Sequence, residues 1–213
     1  MKGWDEFHVD RKELTGDEPP HPEVVKFAKR LAKRAKVLDH GCGMGRNFFF
    51  MDKEGFNVYG IDCSDFSIEF MTKKGYGDKV VKGDIRKMPF MDDEFDALVS
   101  TNVIAHGNQE DITRYIKEMR RVVKPGGMIF IVCPSIYFLE AVRTKDTKEV
   151  SPGTYVDIDT PDGNMPHYYF TTEIMETFFK GDIILRNEYV DEYSTFMKKQ
   201  VNHLIFACQV GGK

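Results

Sequence analysis

From residue 22 onward, the apolar positions switch between two spacings, and each switch marks an element. Val24, Ala28, Leu31, Ala32 and Ala35 recur at the 3.6-residue period of a helix opened by Pro22. A short apolar run, Lys36–His40, then reads as a strand, "RNFFFMDKEG" as a helix ending near Gly55, and "NVYGID" as a second strand. "SDFSIEFMTKKG" is a bounded helix, with Ser64 as N-cap and Gly75 just past its end. "DKVVKGD" and "EFDALVS" predict strands three and four. Ile112, Tyr115, Ile116, Met119, Val122 and Val123 give 109–123 one apolar helical face, which Pro125-Gly126-Gly127 ends. "MIFIVCP" is continuously apolar, as a strand buried on both faces should be. Alternating strands and helices predict right-handed βαβ units around a parallel sheet.

The pattern breaks after Pro134. Residues 135–170 are polar, rich in Pro, Gly and Asp, and carry aromatics at Tyr137, Phe138, Tyr155, Tyr168, Tyr169 and Phe170. A segment this long inside a compact fold is expected to be a functional or partly structured cap. Thr171 caps a last predicted helix with Ile174, Met175, Phe178 and Phe179 on its inner face; "DIILRNEYV" and "HLIFACQV" predict a closing hairpin. The expected organisation is an N-terminal arm (1–21), then one domain (22–213) carrying the cap at 135–170.

Composition narrows the function classes. With 213 residues, 41% hydrophobic and 30% charged, the chain can bury one substantial core. No apolar run approaches the roughly 20 residues that span a bilayer, and the charged N-terminus lacks a signal-peptide core. A cytoplasmic location, with no membrane partner, is expected. The net charge of −4 and the absence of a basic stripe argue against nucleic acid as partner. The four cysteines form no CxxC pair and the six histidines lack metal-ligand spacing, so no metal is expected.

The chemistry is concentrated in "VLDHGCGMGRN", Val37 to Asn47. A dinucleotide fingerprint would place its third glycine where this chain has Arg46, and no Gly-Lys-Ser/Thr follows for a P-loop. What remains is an acid at a strand end followed by alternating glycines. A pyrophosphate needs bare amides, whereas Asp39 beside the turn suits an ammonium, which S-adenosylmethionine carries in place of a phosphate. The glycines let backbone approach the ligand. Asp62, ending the second strand, is placed to accept ribose hydroxyls. Asp84, after the third, is placed to accept from the adenine amino group, with Ile85 offering its N–H and an apolar side chain to the base. Acids ending successive strands of one sheet share one crevice.

Together, "VLDHGCGMGRN", "VYGID", "KGDIRKMPFMDDEFDALVSTNVIAH" and "VVKPGGMIFIV" resemble successive motifs of class I S-adenosylmethionine-dependent methyltransferases, over about residues 24 to 134. The resemblance implies a Rossmann-like, doubly wound α/β sheet of seven strands, order 3-2-1-4-5-7-6 with strand seven antiparallel. It implies cofactor contacts at Asp39, Gly41, Gly43, Asp62, Asp84, Ile85 and Ser100, with S-adenosyl-L-homocysteine as product. Cys42 and Cys63 border the same loop. Arg46 either reaches the cofactor carboxylate or is a solvated helix start. "GCGxGRN" is similar to small-molecule methyltransferases of the tellurite-resistance and thiopurine type. His40, where the family often has a small or apolar residue, is expected to pack under the loop.

For the acceptor, His106 after strand four is the first candidate, as base or orienting donor, and His167 and Tyr168 in "NMPHYYF" the second group. Trp4, Phe7 and His8 are candidates for a closing lid. The 36-residue variable segment would form only a small cap, which argues for a small-molecule acceptor. A macromolecular acceptor and a non-catalytic cofactor-binding subunit are the alternatives, and a monomer or homodimer is expected.

Overall fold

Strands apolar on both faces are stable only under helices on both sides. The computed structural model describes residues 18–160, 165–194 and 197–212. The arm residues Trp4, Phe7 and His8 lie outside them. The order begins α1 (Pro22–Ala28), β1 (Lys36–His40), α2 (Arg46–Lys53), β2 (Asn57–Asp62), α3 (Asp65–Met71), β3 (Val80–Lys82) and β4 (Phe95–Thr101). It continues with α4 (Gln109–Val122), β5 (Val123–Pro134), α5 (Ile136–Val142), β6 (Lys148–Ser151), β7 (Thr154–Val156) and β8 (His167–Tyr168). It closes with α6 (Thr172–Phe178), β9 (Ile183–Ser194) and β10 (Lys199–Gln209).

Seven strands form one sheet in the order β3-β2-β1-β4-β5-β10-β9. β1 runs parallel to β2 and β4, and β10 is antiparallel to both neighbours. This is the order expected from the sequence, with β9 and β10 in the places of strands six and seven. On one face, Ile112, Ile116 and Met119 of α4 and Met175 of α6 close over Leu38, Leu98, Ile129 and Phe206. On the other, Val24 and Phe27 of α1, Phe48 and Met51 of α2 and Met71 of α3 cover Val37, Val99, Phe130 and Ile205.

Local signals explain the boundaries. Ser64 Oγ accepts from Ser67 N–H at 3.2 Å and Thr171 Oγ1 from Ile174 N–H at 3.3 Å, so both expected N-caps are in place. The first helix is shorter than its periodicity predicts: it stops at Ala28, and Arg34 takes a left-handed φ of 63°. Leu31 and Ala35 still face the core, but through turns. The cap contains α5 and a three-stranded antiparallel sheet, β6-β7-β8. It has its own apolar cluster of Phe138, Leu139, Val142, Ile158, Tyr169 and Val201. Ser135 joins cap to sheet: its Oγ caps α5 at Tyr137 and Phe138 N–H and donates to Asn202 Oδ1 at 2.5 Å.

Candidate functional site

From β1 the sheet is built outward in both directions, through β2 and β3 on one side and β4 and β5 on the other. The loops leaving the carboxyl ends of β1 and β4 therefore diverge and open a crevice. The β1–α2 loop lines it. Gly41, Gly43 and Gly45 have φ of 71°, 51° and 88°, a left-handed run that side chains resist. A Cβ on Gly41 would stand 2.4 Å from Val103 Cγ2, in the loop after β4. Gly41 and Cys42 donate their N–H groups to Ile61 O at 2.9 and 3.0 Å. The turn is thereby hung from the end of β2.

Asp62 completes that anchorage. Its Oδ2 accepts from Gly43 N–H at 2.8 Å and its Oδ1 from Ser64 N–H at 2.9 Å. Each oxygen keeps further lone-pair capacity, as a ribose contact requires.

Asp39 is 2% exposed and its Oδ2 has no hydrogen-bond partner among the described residues. Burial pushes its carboxyl up to about 7; Arg46 and the N–H of Phe48 oppose that shift, and the Asp62 charge adds to it. A buried carboxylate with an orphaned oxygen beside a glycine cradle fits an ammonium group, which would both pair and ionise it. Arg46, half-buried at the start of α2, makes no hydrogen bond or ion pair with another described residue. Burial holds its pKa below the usual guanidinium range, against the attraction of Asp39, Glu192 and Glu18. Arg46 and Asp39 together can match the two charges of an amino-acid group.

Asp84, just past β3, is engaged by Arg86 and lies below the usual carboxylate range through those hydrogen bonds. Ile85 is half-buried against the core. Ser100 Oγ lies 3.1 Å from His40 Nδ1, both residues being fully buried at the ends of the two central strands. Burial drives His40 down to about 3, so it is neutral at physiological pH. Cys42 is turned beneath the loop toward Gly60, and burial lifts its thiol well above the usual range. Cys63 is half-buried.

The two histidine candidates come together although the chain separates them widely. His106 and His167 are paired through an antiparallel bridge, with ring centroids 4.7 Å apart at 71°. The bridge is fixed by Tyr168 N–H to Ala105 O at 2.7 Å and Gly107 N–H to Pro166 O at 3.1 Å. Tyr115 OH donates to His106 O at 2.8 Å, tying the same loop to α4. His167 Nδ1 is 2.7 Å from Met165 O. A carbonyl can only accept, so Nδ1 carries the proton and Nε2 is the basic nitrogen. Tyr168 is placed differently: it is 2% exposed and packs on Phe170 and Phe178 in the core.

Two features were not foreseen from the sequence. Asn47 is buried and ties α1 to β4, accepting from His21 N–H and donating to Thr101 Oγ1, each at 3.0 Å. Glu192 lies between His203 Nδ1 at 2.8 Å and His21 Nε2 at 3.5 Å. Two open clefts, about 740 Å³ beside Arg143 and Asp157 and about 450 Å³ beside Thr113 and Phe178, include none of the strand-end acids. Among the described residues no group of three or more His, Cys, Asp or Glu is arranged to hold a metal ion, and no helix is long and apolar enough to cross a membrane.

Comparison with known proteins bears on the same residues. Residues 38–131 match the family model described as a methyltransferase domain. A sterol 24-C-methyltransferase of Yarrowia lipolytica is 31% identical over 139 residues, 62% of this chain and 34% of that protein. A tRNA (carboxymethyluridine(34)-5-O)-methyltransferase of Arabidopsis thaliana is 32% identical over 111 residues, 52% of this chain and 26% of that protein. The matches thus span about a third or less of these relatives. A crystal structure of a methyltransferase from Methanosarcina mazei has the same fold, with a TM-score of 0.73 at 17% identity, over 92% of this chain and all of that one. Residues 38–131, which carry the strand-end acids, are thus similar to the methyltransferase domain family, and the sheet order around them is the fold of the solved methyltransferase.

Proposed function

We propose that the protein transfers a methyl group from S-adenosylmethionine to a small-molecule acceptor by in-line displacement. The observation that carries the donor assignment is Asp39: a buried acid with an orphaned oxygen, set against a left-handed glycine turn. When bound, the cofactor supplies an electrophilic methyl carbon, and the electron pair of the broken carbon–sulfur bond stays on sulfur. Asp39 holds the ammonium, Arg46 the carboxylate, Asp62 the ribose and Asp84 with Ile85 the adenine; Gly41 and Gly43 admit the ligand close to the backbone. Ser100 and Cys42 are buried behind this row, and half-buried Cys63 follows Asp62 along the chain. Positioning and exclusion of water supply much of the rate of such a displacement.

The His106–His167 pair supports an acceptor wall at the end of β4, under the cap. His106, with His167 beside it, is the group we assign to orient the acceptor or take its proton where it must lose one. Tyr168 belongs to the packing behind that wall. The compact cap supports a small acceptor, while the likeness to a tRNA-modifying relative favours RNA as the second reading. Incubation with methyl-labelled cofactor separates them, using thiols, phenols, amines and metalloid oxyanions in one arm and total tRNA in another. Label is expected in a small-molecule product; label confined to tRNA would overturn the proposal.

A further inference from the structure

Asp84 is the acid assigned above to the adenine amino group, and its carboxylate is already claimed. Arg86 Nε lies 3.0 Å from Oδ1 and 2.9 Å from Oδ2, Nη2 lies 2.6 Å from Oδ2, and the Arg86 N–H lies 2.8 Å from Oδ1. A carboxylate offers about four lone-pair sites. The backbone contact holds the carboxylate in place, while the guanidinium contacts occupy the remainder. An incoming amino group must therefore displace a side-chain contact of Arg86.

The displaced guanidinium has somewhere to go. Arg86 Nη1 is 3.7 Å from Asp111 Oδ1, on the first turn of α4. Asp111 is the capping-box acid of α4, accepting from Asn108 N–H at 3.3 Å. Both members of the Asp84–Arg86 pair are close to two-fifths exposed, so the guanidinium can swing without unpacking the core.

We infer that Arg86 sets the affinity for the cofactor by competing with the adenine amino group for Asp84, yielding toward Asp111 when the base enters. The inference rests on the assignment of Asp84 to adenine. It predicts an affinity gain on truncation, the reverse of what a residue that contacts the ligand would give. An exposed ion pair of this kind spans about two- to fivefold in a binding constant.

The test is calorimetric titration of the full chain with S-adenosylhomocysteine and with its analogue bearing hydrogen in place of the adenine amino group. Arg86→Ala and Arg86→Gln should each tighten S-adenosylhomocysteine about two- to fivefold and leave the analogue unchanged. Lys87→Ala, which removes a neighbouring exposed charge, should change neither. Unchanged or weakened S-adenosylhomocysteine binding in both Arg86 variants, with Asp84→Asn weakening it, would overturn the inference and leave the adenine assignment standing. No effect of Asp84→Asn would overturn both. An equal gain for the two ligands would show general electrostatics and overturn the competition.

Discussion

If Asp39 pairs with the cofactor ammonium as proposed, its burial trades stability of the ligand-free fold for binding. Its carboxyl has an ordinary value of 3.8 and is raised by burial to about 7 in the folded chain. A folded value above the unfolded one means that its stabilising contribution is full below about pH 4 and is lost as pH rises through 7. Ionised Asp39 therefore destabilises the ligand-free fold at pH 8, on the order of 4 kcal/mol by the size of that rise. An ammonium reverses the balance by favouring the ionised form. Asp39→Asn should accordingly raise the melting temperature at pH 8 and weaken S-adenosylhomocysteine more than tenfold. The wild-type affinity should fall toward tenfold per pH unit as pH drops below 7. An affinity that is flat from pH 5.5 to 7.5 would refute the pairing of Asp39 with the ammonium.

At the scale of elements, the β1–α2 turn is where the sequence and the structure agree most closely, because its constraint is local. Gly41 is required twice, by a φ of 71° and by the 2.4 Å approach a Cβ would make to Val103. Gly41→Ala should cost about 1–3 kcal/mol of stability and most of the cofactor affinity. Adding Val103→Ala should recover only part of either loss, since it relieves the clash and leaves the dihedral strain; full recovery in thermal melts and titrations would show that space alone matters. Short-range signals of this kind, the caps at Ser64 and Thr171 and the apolar strands, were legible in the sequence. The end of α1 was not, because the 3.6-residue pattern persists through Ala35 while Arg34 turns left-handed. Arg86 was also missed, since a charge two residues from an acid looks like ordinary solvated surface. The meeting of His106 with His167 depends on how the cap folds back, which no periodicity encodes.

Across the whole molecule, the segment before α1 and the closing hairpin are joined to the cofactor loop through one buried polar network. Glu192 of β9 faces His203 of β10 and His21 ahead of α1, whose N–H is held by Asn47 of α2. The close approach of His203 and then of His21 holds the Glu192 carboxyl well below its usual range, against the desolvation that raises it. A depressed folded value gives the opposite sign from Asp39: the contribution is present above the ordinary 4.5 and is lost as pH falls through the folded value. Glu192→Gln should then lower stability at pH 7 by about 1–2 kcal/mol, or about 2–8 °C in Tm for a chain of this size. The gap from wild type should narrow steadily below pH 4.5. Because Asn47 also binds Thr101 Oγ1, the loop keeps one of its ties, and S-adenosylhomocysteine affinity should change less than stability does. Thermal melts from pH 3 to 8 decide the matter: a gap that stays constant across that range would mean that Glu192 acts through packing, not through its charge.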